Sequence, residues 1–126
     1  MTSYFHFFTL AEASALSSLS ERQVRRWIDL GVIRQSVSEG KTRPGLELVE
    51  VVVLWVFARS PDLTASAANV MAGTVRATNK RFLVWDGENA SAFDEVIYPD
   101  QFDSVTVFDL AAAVSVISSQ MYEQTV

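Results

Sequence analysis

The sequence predicts a mainly α-helical chain with small β elements, an α+β fold in two parts. Two capping-box motifs, Thr9-Leu10-Ala11-Glu12 and Ser20-Glu21-Arg22-Gln23, open two short helices in quick succession. A polar stretch with Gly40, Pro44 and Gly45 follows, flanked by short apolar segments as in a hairpin. From Phe82 onward, short apolar and aromatic runs alternate with turn residues, and an apolar stripe at helical spacing closes the chain.

The first helix is expected over residues 10–16, with Leu10, Ala13 and Leu16 on its apolar face. Ser17 and Ser18 supply a turn. The second helix is expected over residues 21–30. Leu19 and Val24 are placed for a hydrophobic staple, Val24, Trp27 and Ile28 form the buried stripe, and Gly31 takes the C′ position. Two short helices across a tight turn, the second with a basic face, have the layout of a helix-turn-helix.

Residues 32–33 and 46–48 read as short strands, and residues 34–45 between them as a hairpin loop carrying Arg34, Lys41 and Arg43. A basic hairpin in that place is a wing. The segment 49–59 is ambiguous. Its valines favour a strand, whereas Leu48, Val52, Trp55 and Arg59 also recur at helical spacing. An Ala-rich helix capped at Thr64 is expected over residues 64–77, where Gly73 suggests close packing against a neighbour.

Residues 78–80 form the expected boundary between a domain of residues 1–78 and an acidic unit of residues 79–126. In the latter, strands are expected at 82–85, 92–98 and 105–107, with a turn at Asp86-Gly87. Asp109 is placed to cap a last helix to about residue 122, with Leu110, Val114, Ile117 and Met121 on one face. Phe82, Trp85, Phe93, Tyr98, Phe102 and Phe108 form an aromatic set suited to the core of this unit. Residues 4–8 read as a packed aromatic arm.

Composition narrows the function. The 126 residues contain no Cys, which excludes thiol chemistry and Cys-based zinc sites, and one His, His6, so a His-rich metal centre or a Ser-His-Asp triad has little to build on. Paired carboxylates such as Asp94-Glu95 lack a partner base, a metal motif or a Gly-rich phosphate loop. The chain is expected to be no enzyme and to need no cofactor and no metal. The longest uncharged apolar stretch, residues 51–58, is far shorter than the about 20 residues of a membrane helix. No membrane association and a cytoplasmic location are expected.

Charge is unevenly spread. Residues 1–82 hold all ten Lys and Arg against seven carboxylates, whereas residues 83–126 hold eight carboxylates and no Lys or Arg. Such asymmetry suggests a basic binding part joined to an acidic one. Within the basic part, Arg22, Arg25 and Arg26 lie at i, i+3 and i+4, opposite the apolar stripe. Arg22 and Arg26 repel by about 0.2–0.5 kcal/mol in an isolated helix, a cost that phosphates along the face would reverse. Arg suits guanine edges and Gln23 suits adenine edges. The N–H groups near Ser20 make the helix start attractive to anions. The competing reading is a solvated face, in which Arg25 is occupied by Glu21 and Asp29, each at i, i+4.

The segments Phe8-Thr9-Leu10-Ala11-Glu12-Ala13 and Leu19-Ser20-Glu21-Arg22-Gln23-Val24-Arg25-Arg26-Trp27-Ile28-Asp29-Leu30-Gly31-Val32-Ile33 resemble the winged helix-turn-helix of MerR-like DNA-binding proteins. The resemblance covers about residues 8–77 and is most specific at 20–33. It implies a helix rather than a strand at 49–59, and binding to double-stranded DNA as a two-fold dimer. It places helix 2 in the major groove and the wing on flanking backbone or minor groove. It also implies DNA contacts from Arg22 and Arg25 and a buried aromatic at Trp27, while Arg26 stands where the family often has an aromatic. The long dimerising coiled coil and the metal-sensing cysteines of typical members are missing.

The resulting expectation is a small repressor-like regulator that binds DNA through Ser20, Arg22, Gln23, Arg25, Arg26, Arg34, Lys41 and Arg43. Residues 82–126 are expected to form a homodimer or to meet a protein partner. The alternatives are an excisionase-like DNA-bending factor and an antitoxin-like interaction module using the acidic part.

Overall fold

A computed structural model describes residues 7–36, 45–95 and 105–125, the last five as helical backbone. These residues form five helices and a three-stranded antiparallel sheet, a mixed α+β fold. The chain divides into two compact units, Met1–Pro61 and Asp62–Val126. No helix among the described residues is long and apolar enough to cross a membrane.

In the first unit, α1 (Leu10–Ser17) and α2 (Glu21–Asp29) both open with the capping boxes expected of them. The turn between them is pinned by small hydroxyls. Ser14 Oγ donates to the Leu19 carbonyl at 2.6 Å, and Leu19 N–H donates to the buried Ser17 Oγ at 3.3 Å. Ser18 closes α1 in the left-handed region at φ 75°. Gly31 follows α2 at φ 77°, a conformation that costs glycine no Cβ strain. Val24 is fully buried, whereas Trp27 and Ile28 are half-buried at the rim of the core. The Trp27 ring lies 4.9 Å from that of Phe57, tilted by 50°.

The valine-rich segment is a helix, α3 (Leu48–Ala58). Its residues 50–54, 56 and 57 are all buried, so it is apolar on nearly every side because it runs through the core of this unit. α1 packs against both α2 and α3. Phe8 is buried and forms an antiparallel bridge with Leu46, with N–H···O distances of 2.8 and 2.9 Å. The rest of the aromatic arm before Phe7 lies outside the described residues.

Two expected strands are not formed here. Val32 and Ile33 are buried bends, and both N–H groups bond to the Trp27 carbonyl, which leaves them nothing to donate to a neighbouring strand. Of residues 46–48 only Leu46 pairs with another chain segment; Glu47 is the N-cap of α3 and Leu48 its first residue. Ser36 and Gly45, at the ends of the expected hairpin loop, are joined by reciprocal 2.8 Å bonds, and residues 37–44 of that loop lie outside the described residues.

In the second unit, α4 (Ala65–Ala77) is capped by Thr64 and packs on the sheet. It therefore groups with the elements that follow it, so the division falls one helix before residues 78–80. Gly73 is exposed, and a Cβ there would meet nothing within 4 Å, so close packing does not account for it. The strands are β1 (Phe82–Trp85), β2 (Ala90–Phe93) and β3 (Thr106–Asp109), in the order β2-β1-β3. The second strand starts earlier than expected because Asp86 folds the turn tightly. Its carboxylate accepts from the N–H groups of Asn89 at 2.6 Å and Glu88 at 2.8 Å, which holds it below the usual carboxylate range. The third strand runs later than expected, directly into α5 (Leu110–Thr125).

The aromatic set is not one cluster. Phe82 pairs with Phe93, whereas Phe108 pairs with Leu83 one residue on and so faces the opposite side of the sheet. Phe82 and Phe108 are buried and Phe93 is exposed; Tyr98 and Phe102 lie outside the described residues. On α5 the buried stripe is Leu110, Ala113 and Ile117, and Val114 is exposed beside it. The Met121 side chain lies outside the description.

Candidate nucleic-acid interface

α2 presents the candidate surface. Burial of Val24 and the Trp27–Phe57 contact fix the roll of the helix, which leaves Arg22, Gln23, Arg25 and Arg26 exposed. The three arginines line one shallow surface with Asp29 and Leu30. Glu21 and Asp29 stand one turn before and after Arg25, yet among the described residues neither pairs with it, and no carboxylate pairs with Arg22 or Arg26. The solvated-face reading expected Arg25 to be occupied within the helix, and that occupancy is not formed.

Ser20 and Gln23 have different roles from the arginines. Ser20 Oγ accepts from Gln23 N–H at 3.1 Å, and Gln23 Oε1 accepts from Ser20 N–H at 2.9 Å. These bonds satisfy two otherwise orphaned N–H groups of the helix start. Bidentate pairing with adenine needs both atoms of the Gln23 amide, one of which is engaged in the cap.

Gln35 and Arg25 line a groove together with Ile28 and Asp29 of α2 and with Thr9 and Leu10 at the start of α1. The segment entering the hairpin thus runs beside the basic helix. The Arg34 side chain is exposed, while its backbone N–H donates to Glu50 Oε1 at 2.7 Å. Glu50 went unnoticed in the sequence; the signal available was one carboxylate within the apolar run 48–58. Lys41 and Arg43 lie outside the described residues. A Cβ on Gly45 would fall 2.8 Å from Phe7 Cβ and 3.3 Å from the Phe8 carbonyl, so the hairpin base lies tight against the N-terminal segment.

Among the described residues, no three His, Cys, Asp or Glu side chains gather where they could hold a metal ion. No protein-family model matches the chain, and no curated protein matches it.

Proposed function

We propose that the first unit binds double-stranded DNA as a MerR-like winged helix-turn-helix and that the protein is a small, repressor-like regulator. α2 enters the major groove with Arg22, Arg25 and Arg26 facing the duplex, and Arg34 and the hairpin it opens meet the flanking backbone. The observation that carries this reading is the exposed trio of arginines that, among the described residues, have no carboxylate partner, although Glu21 and Asp29 stand at pairing distance in sequence. Three such guanidinium groups on one capped helix repel one another until a polyanion neutralises them. Gln23 serves the cap and leaves base contacts to the arginines. A second copy, joined through residues 82–126, supplies the other half of a two-fold site.

Binding-site selection on random duplex DNA tests the proposal. A shared motif should be enriched, with affinity that falls steeply as salt rises. Recovery of no motif, together with no salt-dependent binding to any duplex, overturns it.

A further inference from the structure

We propose that Glu50 is a positioning residue for DNA contact. Its buried carboxylate holds the Arg34 backbone against the first turn of α3, so that the Arg34 side chain reaches the DNA backbone from a fixed place. The inference rests on the DNA-binding reading above and adds a residue to that site.

Glu50 is only 3 % exposed, in a helix with no other charged residue from Leu48 to Ala58. A carboxylate in such a place must recover its lost hydration from hydrogen bonds and local dipoles. It lies at the third position of α3, where the positive end of the helix dipole favours negative charge. It accepts from Arg34 N–H at 2.7 Å, a short, charge-assisted bond. Two residues on, Ser36 Oγ donates to Glu47 Oε1 at 3.3 Å. The N-cap and third residues of α3 therefore grip alternate positions, 36 and 34, of one segment. Just upstream, the Val32 and Ile33 side chains are buried and both N–H groups are tied to the Trp27 carbonyl. Downstream, Ser36 is bonded twice to Gly45. Between these two anchors, Glu50 supplies the hold on Arg34. Core packing alone would be served as well by an apolar residue of similar volume. The carboxylate offers what such a residue does not, an acceptor at the place where the chain leaves the core and presents a cation.

The test uses the full chain and its selected duplex, with Arg34→Ala, Glu50→Gln, Glu50→Met and the double variant Arg34→Ala/Glu50→Met. Glu50→Gln keeps the acceptor oxygen and should bind as the parent protein does. Glu50→Met should lose about tenfold in affinity, the size of one charge-assisted contact. Its salt slope should flatten by about one unit, as should that of Arg34→Ala. The double variant should bind no more weakly than either single one, because both remove the same contact. Additive losses, or an unchanged slope in Glu50→Met, overturn the proposal. Amide exchange gives a readout independent of DNA: Arg34 N–H should be protected in the parent and in Glu50→Gln, and should lose protection in Glu50→Met. Exchange in the parent at open-chain rates overturns the proposal even if Glu50→Met does not fold. A parent protein that binds no duplex overturns the DNA reading and Arg34's part in it, while the same amide measurement still decides whether Glu50 holds the segment.

Discussion

Arg25 is the residue at which competing physical accounts of the basic helix separate most clearly. If its guanidinium were held by Glu21 and Asp29, replacing it would cost a few tenths of a kcal/mol of helix stability and nothing else. Exposed and free of both carboxylates, it is available to a base edge. Arg25→Ala is therefore expected to weaken binding to the selected duplex by about 1–3 kcal/mol and to relax sequence preference at one position. Thermal melting should stay close to that of the parent. A gel-shift series on single-base variants of the site checks this, and an equal loss on every sequence counts against base contact. Gln23 should behave in the opposite way, because its Oε1 is committed to Ser20 N–H. Gln23→Ala should cost about 1 kcal/mol of stability, similar to loss of a cap, and leave the selected motif unchanged. The arginines were legible in the sequence because i, i+3, i+4 spacing needs only a helix to bring them together. Glu50 was not, because its meaning depends on Arg34, sixteen residues away in sequence, and no periodicity encodes that pairing.

Elements that carry their own boundary chemistry were legible. Both capping boxes, the Thr64 cap and the left-handed Gly31 are local devices, and α1, α2 and α4 begin or end at them. Elements without such devices were not settled by their own pattern. Periodicity left helix and strand open for the valine-rich run of α3; the family resemblance implied a helix, and a helix buried on almost every side is what forms. Val32 and Ile33 show the converse: their apolar side chains fill the core, but their N–H groups serve the end of α2 and no sheet. The hairpin base depends on a close approach that only glycine permits. Gly45→Ala should lower stability by about 1–3 kcal/mol, because the added methyl must displace the Phe7 Cβ or the Phe8 carbonyl. Chemical denaturation measures this, and an unchanged midpoint contradicts it. In the second unit, Asp109 ends β3 and caps α5. The Arg81 guanidinium hydrogen-bonds its carboxylate, Ala112 N–H adds a second bond, and together they hold it below its usual range. The folded state then binds the proton less readily than the unfolded one. This stabilisation is complete above the ordinary carboxylate range and is lost as pH falls through the lowered value. Asp109→Ala should be less stable than the parent at pH 7, and the gap should close in strong acid. A gap of constant size from neutral to acid pH argues against this account.

For the whole molecule, the charge distribution and the division into units must be explained together. The unit Asp62–Val126 holds nine of the fifteen carboxylates and only three of the ten cations, whereas the unit Met1–Pro61 holds the arginines of α2. Under the proposed function, a duplex would attract the unit Met1–Pro61 and repel the unit Asp62–Val126, so charge would orient the chain on DNA before any base is touched. One short helix reads only a few base pairs, and helix-turn-helix proteins gain selectivity by pairing two copies about one helical turn of DNA apart, as the proposed function requires. In the proposed dimer the second unit supplies that pairing. Its α5 carries no charged residue from Leu110 to Gln120 and exposes Val114 and Val116, so two copies can meet there without bringing carboxylates together. The chain is expected to sediment at twice its 14.0 kDa mass, and the enriched DNA motif to be an inverted repeat. Val116→Asp places like charges on that face, and should lower the dimer fraction and the affinity for the full repeat while leaving affinity for a half-site unchanged. Sedimentation equilibrium and titration against full and half sites separate these quantities. A monomeric protein with an asymmetric motif would remove the second unit from the pairing role and leave the first to act alone.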